Sequence, residues 1–220
     1  MLTHALLALA AVPCSGPTGC TVQAEVEGRD LPLLVDTGAD LTVLTAAGAR
    51  RAGVRVPADA PVIVIRGAGG RSTAKLAFAE ISVGEYEEPD VLVAVMDDLD
   101  LGGRSMGLLG MTFLERFRAR VGRQLELEPV DADDRARRGG RGPSWWRLRF
   151  REFGQRKPAF ERAIRAAKKA DRQTRRTYGR DPSGRTITKS LERLKAFLDA
   201  AERRLKNEAA RHAVPRAWRR

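Results

Sequence analysis

The sequence predicts a mainly β domain of short strands at the front and a basic, mostly helical extension behind it. Three observations lead there. From Thr21 to Leu127, short apolar runs alternate with turn signals at a spacing of roughly 8–12 residues, the pattern of a β sandwich or barrel. Near Val130 the charge changes sign: residues 1–130 carry 12 Lys/Arg against 17 Asp/Glu, and residues 131–220 carry 28 against 11. From Leu191 to Leu205, apolar residues recur every three or four positions, the spacing of one helix face.

Each element follows from local pattern. "TVQAEVEG" sets Val22, Ala24 and Val26 at a period of two, so it reads as a half-buried strand. "EGRD" is the turn to a partner strand, "LPLLVD", and "TGAD" breaks that strand before "LTVL" resumes it. "TAAGARRAGV" is a short helical or loop segment. "PVIVI" and "STAKLAFAEISVG" are strands either side of a glycine-rich tip, "RGAGG". "PDVLVAVM" is a further strand, followed by an acidic loop holding Asp97, Asp98 and Asp100. "MGLLGMTFLERF" begins as an apolar strand and turns helical near Thr112, and "RARVGRQLELEP" closes as a hairpin with Leu125 and Leu127 facing one way.

Behind Pro129, "DADDRARRGGRGPS" reads as a linker, by its charges and glycines. "WWRLRFREF" alternates Trp146, Leu148 and Phe150 with arginines. A first helix is expected after Pro158, a good first-turn residue, with Phe160, Ile164 and Ala167 on one face. "GRDPSGR" is a turn, and a second helix from about Thr188 to Ala213 completes a helical hairpin. The expected organisation is an N-terminal segment (1–20), a β domain (21–129), a linker (130–144) and the basic extension (145–220).

The N-terminal run Ala5–Val12 is too short to span a bilayer and resembles the core of a secretory leader lacking its basic start. It leaves a periplasmic or secreted location and a cytoplasmic one both open. Cys14 and Cys20 read first as two unrelated small residues, with a local disulfide as the alternative in an oxidising compartment. His4 and His212 are the only histidines and lie at opposite ends, so no zinc pattern exists and no metal or other cofactor is expected. The loop of Asp97, Asp98 and Asp100 reads as solvated.

The stretch that carries chemistry is "LPLLVDTGADLTVL", Leu31–Leu44. A strand gains no stability by desolvating a carboxylate, so Asp36 at its end calls for another reason. Gly38 lets the backbone turn tightly and approach a ligand, Thr37 supplies a hydroxyl to anchor the loop, and Ala39 keeps the space small. The product would be a carboxylate held rigidly at the floor of a cleft. Amide hydrolysis needs one group to activate water and another to protonate the substrate. Two adjacent carboxylates sharing one proton meet that need, because both cannot ionise at close range. No second Asp-Thr/Ser-Gly triplet occurs: "DDLDLGG" lacks the hydroxyl residue, and "DPSG" has a proline inserted. A partner Asp would therefore come from a second copy across a two-fold axis.

Residues 21–128 resemble the retropepsin-like aspartic proteases, a single-lobed class that works as a homodimer. "LLVDTGADLTVL" is similar to their catalytic loop, "VIVIRGAGGRSTAKL" to their flap hairpin, and "GLLGMTFLERF" to the strand that threads behind that loop with the short helix after it. "RVGRQLELEP" resembles the final hairpin of bacterial members. The resemblance implies a closed β-barrel or sandwich with a flap hairpin and one short helix, and an aspartic endopeptidase activity on peptide or protein substrates. Asp36 would be the catalytic aspartate, Thr37 would lock two loops together across the dimer, and Gly38 would hydrogen-bond beside the carboxylates. Ala39 and Asp40 would contact substrate. Gly67, Ala68, Gly69 and Gly70 would form the flap tip over the peptide. Leu108, Leu109 and Gly110 would be structural, Gly110 leaving room behind the catalytic loop.

A rival reading keeps the fold as a non-catalytic peptide-binding or dimerising module. Its basic tail, residues 145–220, would bind nucleic acid phosphates or an anionic membrane surface. Trp145, Trp146, Phe150 and Phe153 among arginines suit base stacking or a membrane interface, and they suit packing back into the protein equally well.

Overall fold

The computed structural model describes residues 10–16, 19–67, 70–178 and 182–220. Two compact units emerge: one holds the chain up to Pro57 together with Ile63–Asp133, the other Ala58–Val62 with Asp134–Arg220.

The first unit is built from ten strands and two short helices: β1 (Ala10–Pro13), β2 (Thr21–Val26), β3 (Arg29–Val35), β4 (Thr42–Thr45), α1 (Ala46–Ala52), β5 (Val62–Gly67), β6 (Gly70–Val83), β7 (Tyr86–Met96), β8 (Gly107–Leu109), α2 (Met111–Leu114), β9 (Phe117–Val121) and β10 (Gln124–Pro129). The larger sheet runs β2-β3-β8-β4-β7-β6-β5, and a further β2–β6 pairing closes its first six strands into a barrel. The spacing left a β sandwich or barrel open; the architecture is mainly β and a closed barrel.

The period-two reading of β2 is borne out, since Val22, Ala24 and Val26 are buried while Gln23 and Glu25 are exposed. The β2–β3 turn places Glu27 at φ 50° and Gly28 at φ 71°. Positive φ at both central residues matches the right-handed twist of the flanking strands, which makes this the favoured short hairpin. Helix α1 starts where the Thr45 hydroxyl accepts the N–H of Gly48 at 2.9 Å, a side-chain N-cap.

Strand β8 is the topological key. It pairs in parallel with β3 (Leu34↔Leu108, Val35↔Leu109) and antiparallel with β4 (Val43↔Leu108). The chain leaves β3, makes a loop, and returns as β4, while a distant segment threads between the two. The loop at 36–41 is thereby fixed from both sides.

Three features of this unit depart from expectation. Ala10–Pro13, read as the end of a leader-like run, forms strand β1 and pairs antiparallel with β10 (Ala10↔Leu127, Val12↔Leu125). The rest of that run lies outside the described residues. Cys14 and Cys20, read first as unrelated, form a disulfide with Cα atoms 4.6 Å apart. Arg116 is buried: its guanidinium donates to Glu88 Oε2 and to the Pro89 carbonyl, both at 2.9 Å, and to the Asp90 carbonyl at 3.3 Å. Asp90 has φ 49°, and the β6–β7 register shifts nearby. Arg116 thus satisfies carbonyls that the strand irregularity withdraws from the ladder. The paired leucines of the last hairpin, Leu125 and Leu127, are fully buried as their spacing predicts.

The second unit contains α3 (Pro143–Tyr178), α4 (Pro182–Arg211) and a 3-10 turn at Arg216–Trp218. The two helices form the expected hairpin, tied by a Lys168–Glu192 ion pair at 2.6 Å. Its connection at 179–181 lies outside the described residues. Leu194, Leu198, Ala201 and Leu205 are buried on α4, as the three-and-four spacing requires. The start of α3 corrects the sequence reading. The helix begins at Pro143 and runs through Pro158. The 130–144 segment is ordered by side chains: Asp134 accepts from the Ser144 N–H at 2.7 Å and its hydroxyl at 3.1 Å. The alternation in "WWRLRFREF" masks a helical set, Trp145, Arg149 and Phe153, at a spacing of four.

Candidate active site

Asp36 follows β3 directly, and its backbone N–H donates to the Leu109 carbonyl at 3.1 Å. One residue earlier, Val35 N–H donates to the Cys20 carbonyl at 2.7 Å. The end of β3 is therefore gripped by β8 and by the disulfide-linked Cys20. Beyond Asp36 the loop folds on itself: the Gly38 N–H donates to Asp36 Oδ1 at 2.9 Å, and the Ala39 N–H to the Asp36 carbonyl at 3.3 Å.

The far side of the loop is anchored by threonines. Thr42 N–H donates to Thr112 Oγ1 at 2.9 Å, and Thr112 Oγ1 donates to the Leu92 carbonyl at 2.8 Å. Gly110 N–H donates to Thr42 Oγ1 at 3.2 Å, and Met111 N–H to the Ala39 carbonyl at 2.8 Å. Thr42 and Thr112 are both buried. Their hydroxyls replace backbone partners that the crossing of β3, β8 and β4 leaves unpaired. Sequence reasoning missed them. The signal was available: both are hydroxyl residues flanking motifs already singled out.

Gly110 sits where no side chain fits. A Cβ there would stand 2.2 Å from the Leu41 carbonyl oxygen and 2.8 Å from that of Ala39. Leu109 is fully buried, and Leu108 lies between Leu34 and Val43 in the sheet. Asp36 itself is half-buried, with Thr37, Gly38 and Asp40 exposed. The carboxylate is thus at a rim and less enclosed than the sequence reading, a cleft floor, implied.

Residues 22–113 match the family model described as aspartyl protease. Within the front unit, the matched stretch runs from β2 to α2 and is similar to aspartyl proteases. Two solved structures are similar to the chain. One is a retropepsin-like aspartic protease from Rickettsia conorii, at 22% identity over 55% of this chain and 98% of that one, TM-score 0.43. The other is EIAV protease complexed with the inhibitor HBY-793, at 23% identity over 52% and 92%, TM-score 0.37. No curated protein matches the chain.

In the front unit, β5 and β6 are neighbours in the sheet, and Gly67 and Gly70 end and begin them. Ala68 and Gly69 lie outside the described residues. The catalytic-loop candidates (Asp36–Asp40) and the threading strand (Leu108–Gly110) are brought together by the hydrogen bonds above. Asp98 accepts the Ser72 hydroxyl at 2.7 Å and Asp100 accepts the Gly102 N–H at 2.8 Å, structural roles that suit the solvated reading of this loop. Among the described residues, no group of three or more His, Cys, Asp or Glu could hold a metal ion, and no helix is long and apolar enough to cross a membrane. In the other unit, Trp145, Trp146 and Phe153 are buried. Trp146 Nε1 donates to the Arg138 carbonyl at 3.1 Å, and Arg141 stacks over Trp145 at 5.0 Å. Buried rings have no free face to offer a base or a lipid, so these aromatics are packing residues.

Proposed function

We propose that the front unit is an aspartic endopeptidase that works as a homodimer, with Asp36 of each copy forming a shared dyad. One observation carries this reading. The chain has one Asp-Thr-Gly, held in a closed frame of backbone hydrogen bonds, with Thr37 and Gly38 turned to solvent beside a half-buried Asp36. A rigid carboxylate beside an exposed loop is half of a catalytic pair, and a second copy would cover the exposed half.

The chemistry follows from two carboxylates sharing one proton. The ionised Asp36 takes a proton from water as the oxygen attacks the peptide carbonyl carbon. The protonated one gives its proton to the carbonyl oxygen. On collapse the C–N bond breaks, the proton first taken from water passes to the leaving nitrogen, and one hydroxyl of the intermediate returns its proton to the other carboxylate, restoring the shared proton. No covalent intermediate is needed. The peptide would lie extended between the dyad and the two β5–β6 hairpins, pairing with backbone near Gly67, Ala68, Gly69 and Gly70 as an added strand. Exposed Asp40, with Ala39 beside it, would meet substrate main chain. Leu108, Leu109 and Gly110 would hold the loop from behind.

The test is incubation of wild type and Asp36→Asn with a peptide library, with and without pepstatin. The expected result is cleavage by wild type alone, blocked by pepstatin, with the variant still dimeric by sedimentation. Undiminished proteolysis by Asp36→Asn overturns the dyad, and a wild-type chain that cleaves while monomeric at every concentration overturns the homodimer.

A further inference from the structure

We infer that Arg104 gives this peptidase a preference for substrates bearing a carboxylate side chain near the scissile bond. The inference rests on the peptidase reading above and names the substrate class for it.

A cleft of about 240 Å³ opens beside β3, with walls that include Ser15, Thr21, Leu34, Leu101, Arg104 and Ser105. Side chains alternate along a strand, so Leu34 points away from the core against which Val35 packs, and Asp36 follows directly at the strand's end. Two residues of strand span about 7 Å. That is the separation at which a peptide reacting at Asp36 would lay a neighbouring side chain over Leu34.

The walls determine what that side chain should be. Thr21 Oγ1 and Ser105 Oγ lie 3.3 Å apart, and the Ser15 hydroxyl donates to the Thr21 carbonyl at 3.1 Å, so one side is polar. Arg104 is exposed, lines the cleft, and forms no ion pair among the described residues. Among the described residues, no carboxylate lines it. The acids of the same loop, Asp97, Asp98 and Asp100, are not in the cleft wall, and Asp98 and Asp100 accept from Ser72 and Gly102. A guanidinium offers a planar fork of donors that matches a carboxylate, and such charge-assisted bonds exceed neutral ones in strength. Leu34 and Leu101 would take the methylene stem of a Glu, leaving its head to Arg104.

The test uses wild type, Arg104→Gln and Arg104→Glu with C-terminally amidated peptides carrying Glu, Gln, Leu or Lys at each position flanking the cleaved bond. Wild type should cleave the Glu peptide with a kcat/KM about tenfold above the Gln peptide at one position, the worth of one charge-assisted bond. Arg104→Gln should erase that ratio and Arg104→Glu should invert it toward Lys. A ratio near one in wild type, or a Glu preference that survives Arg104→Glu, overturns the inference. A parallel set with free C-termini separates sources: discrimination seen only there assigns the anion to the chain terminus and overturns the side-chain claim. If wild type cleaves nothing, the peptidase reading fails by itself. Anisotropy of the same labelled peptides on wild type and Arg104→Glu then decides the cleft separately: tighter binding of Glu than Gln, lost in the variant, supports it, and equal binding overturns it.

Discussion

The backbone N–H of Asp36 donates to the carbonyl of Leu109 at 3.1 Å, joining two residues 73 positions apart in sequence. The candidate catalytic residue is therefore held through its main chain by the threading strand, and its carboxylate stays free to meet solvent or substrate. Gly110, the next residue, tests how tight that grip is. Gly110→Ala would drive a methyl group into the Leu41 and Ala39 carbonyls. Overpacking against backbone costs about 1–3 kcal/mol. Thermal melts should show Tm lowered by roughly 5 °C or more, with peptidase activity lost in the same variant.

A shared dyad would make inactive subunits dominant. Wild type mixed with a ninefold excess of Asp36→Asn and allowed to exchange should retain about one tenth of its activity per wild-type chain, because random pairing leaves about that share in wild-type homodimers. Activity that stays constant through the titration would show that one carboxylate suffices.

How much of this could be read from sequence depended on whether the signal was local. Asp36–Gly38, the "GLLG" strand and the leucines of the last hairpin announce themselves by type and spacing; the structure joins the first two by hydrogen bonds and buries the leucines in the core. The Thr42–Thr112 anchors and the Arg116–Glu88 pair were missed because each joins residues that only the fold makes neighbours. Strand β1 was missed for a related reason: an apolar run alone does not distinguish a leader from an edge strand, and the partner that decides it, β10, lies more than a hundred residues away. In the extension, the regular spacing of arginines in "WWRLRFREF" suggested a period of two, while burial follows a period of four.

Arg116 and Glu88 form an ion pair at 2.9 Å with both side chains about 1% exposed. Glu88→Ala would leave a buried guanidinium without its counter-charge, at about 3–5 kcal/mol. Urea unfolding should show that loss as a lower midpoint. The double variant Glu88→Leu/Arg116→Met should recover part of it, because apolar groups of similar volume replace buried ion pairs well. Recovery should stop short of wild type, since the Pro89 and Asp90 carbonyls also lose their donor.

Glu80 lies beside Glu27 and Glu87, and its carboxyl is held above the usual carboxylate range by burial first and by those two charges next. A folded-state pKa above the unfolded value means the group is most favourable to folding while protonated, and that contribution is lost as pH rises through the folded value. Glu80→Gln should therefore raise Tm at pH 7, by ~1–2 °C given its exposure. The gain should vanish near pH 3.5, where the carboxyl is protonated in both states. Melting curves of the two proteins across pH 3–8 check the sign.

The Cys14–Cys20 bond bears on how the protein is made. It joins the end of β1 to the start of β2, and the carbonyl of Cys20 receives the N–H next to Asp36. A chain produced in a reducing cytosol carries two thiols there instead of one bond. Such a preparation is a mixture unless it is deliberately reoxidised, and its specific activity should be reported per oxidised molecule, with the thiol count measured alongside.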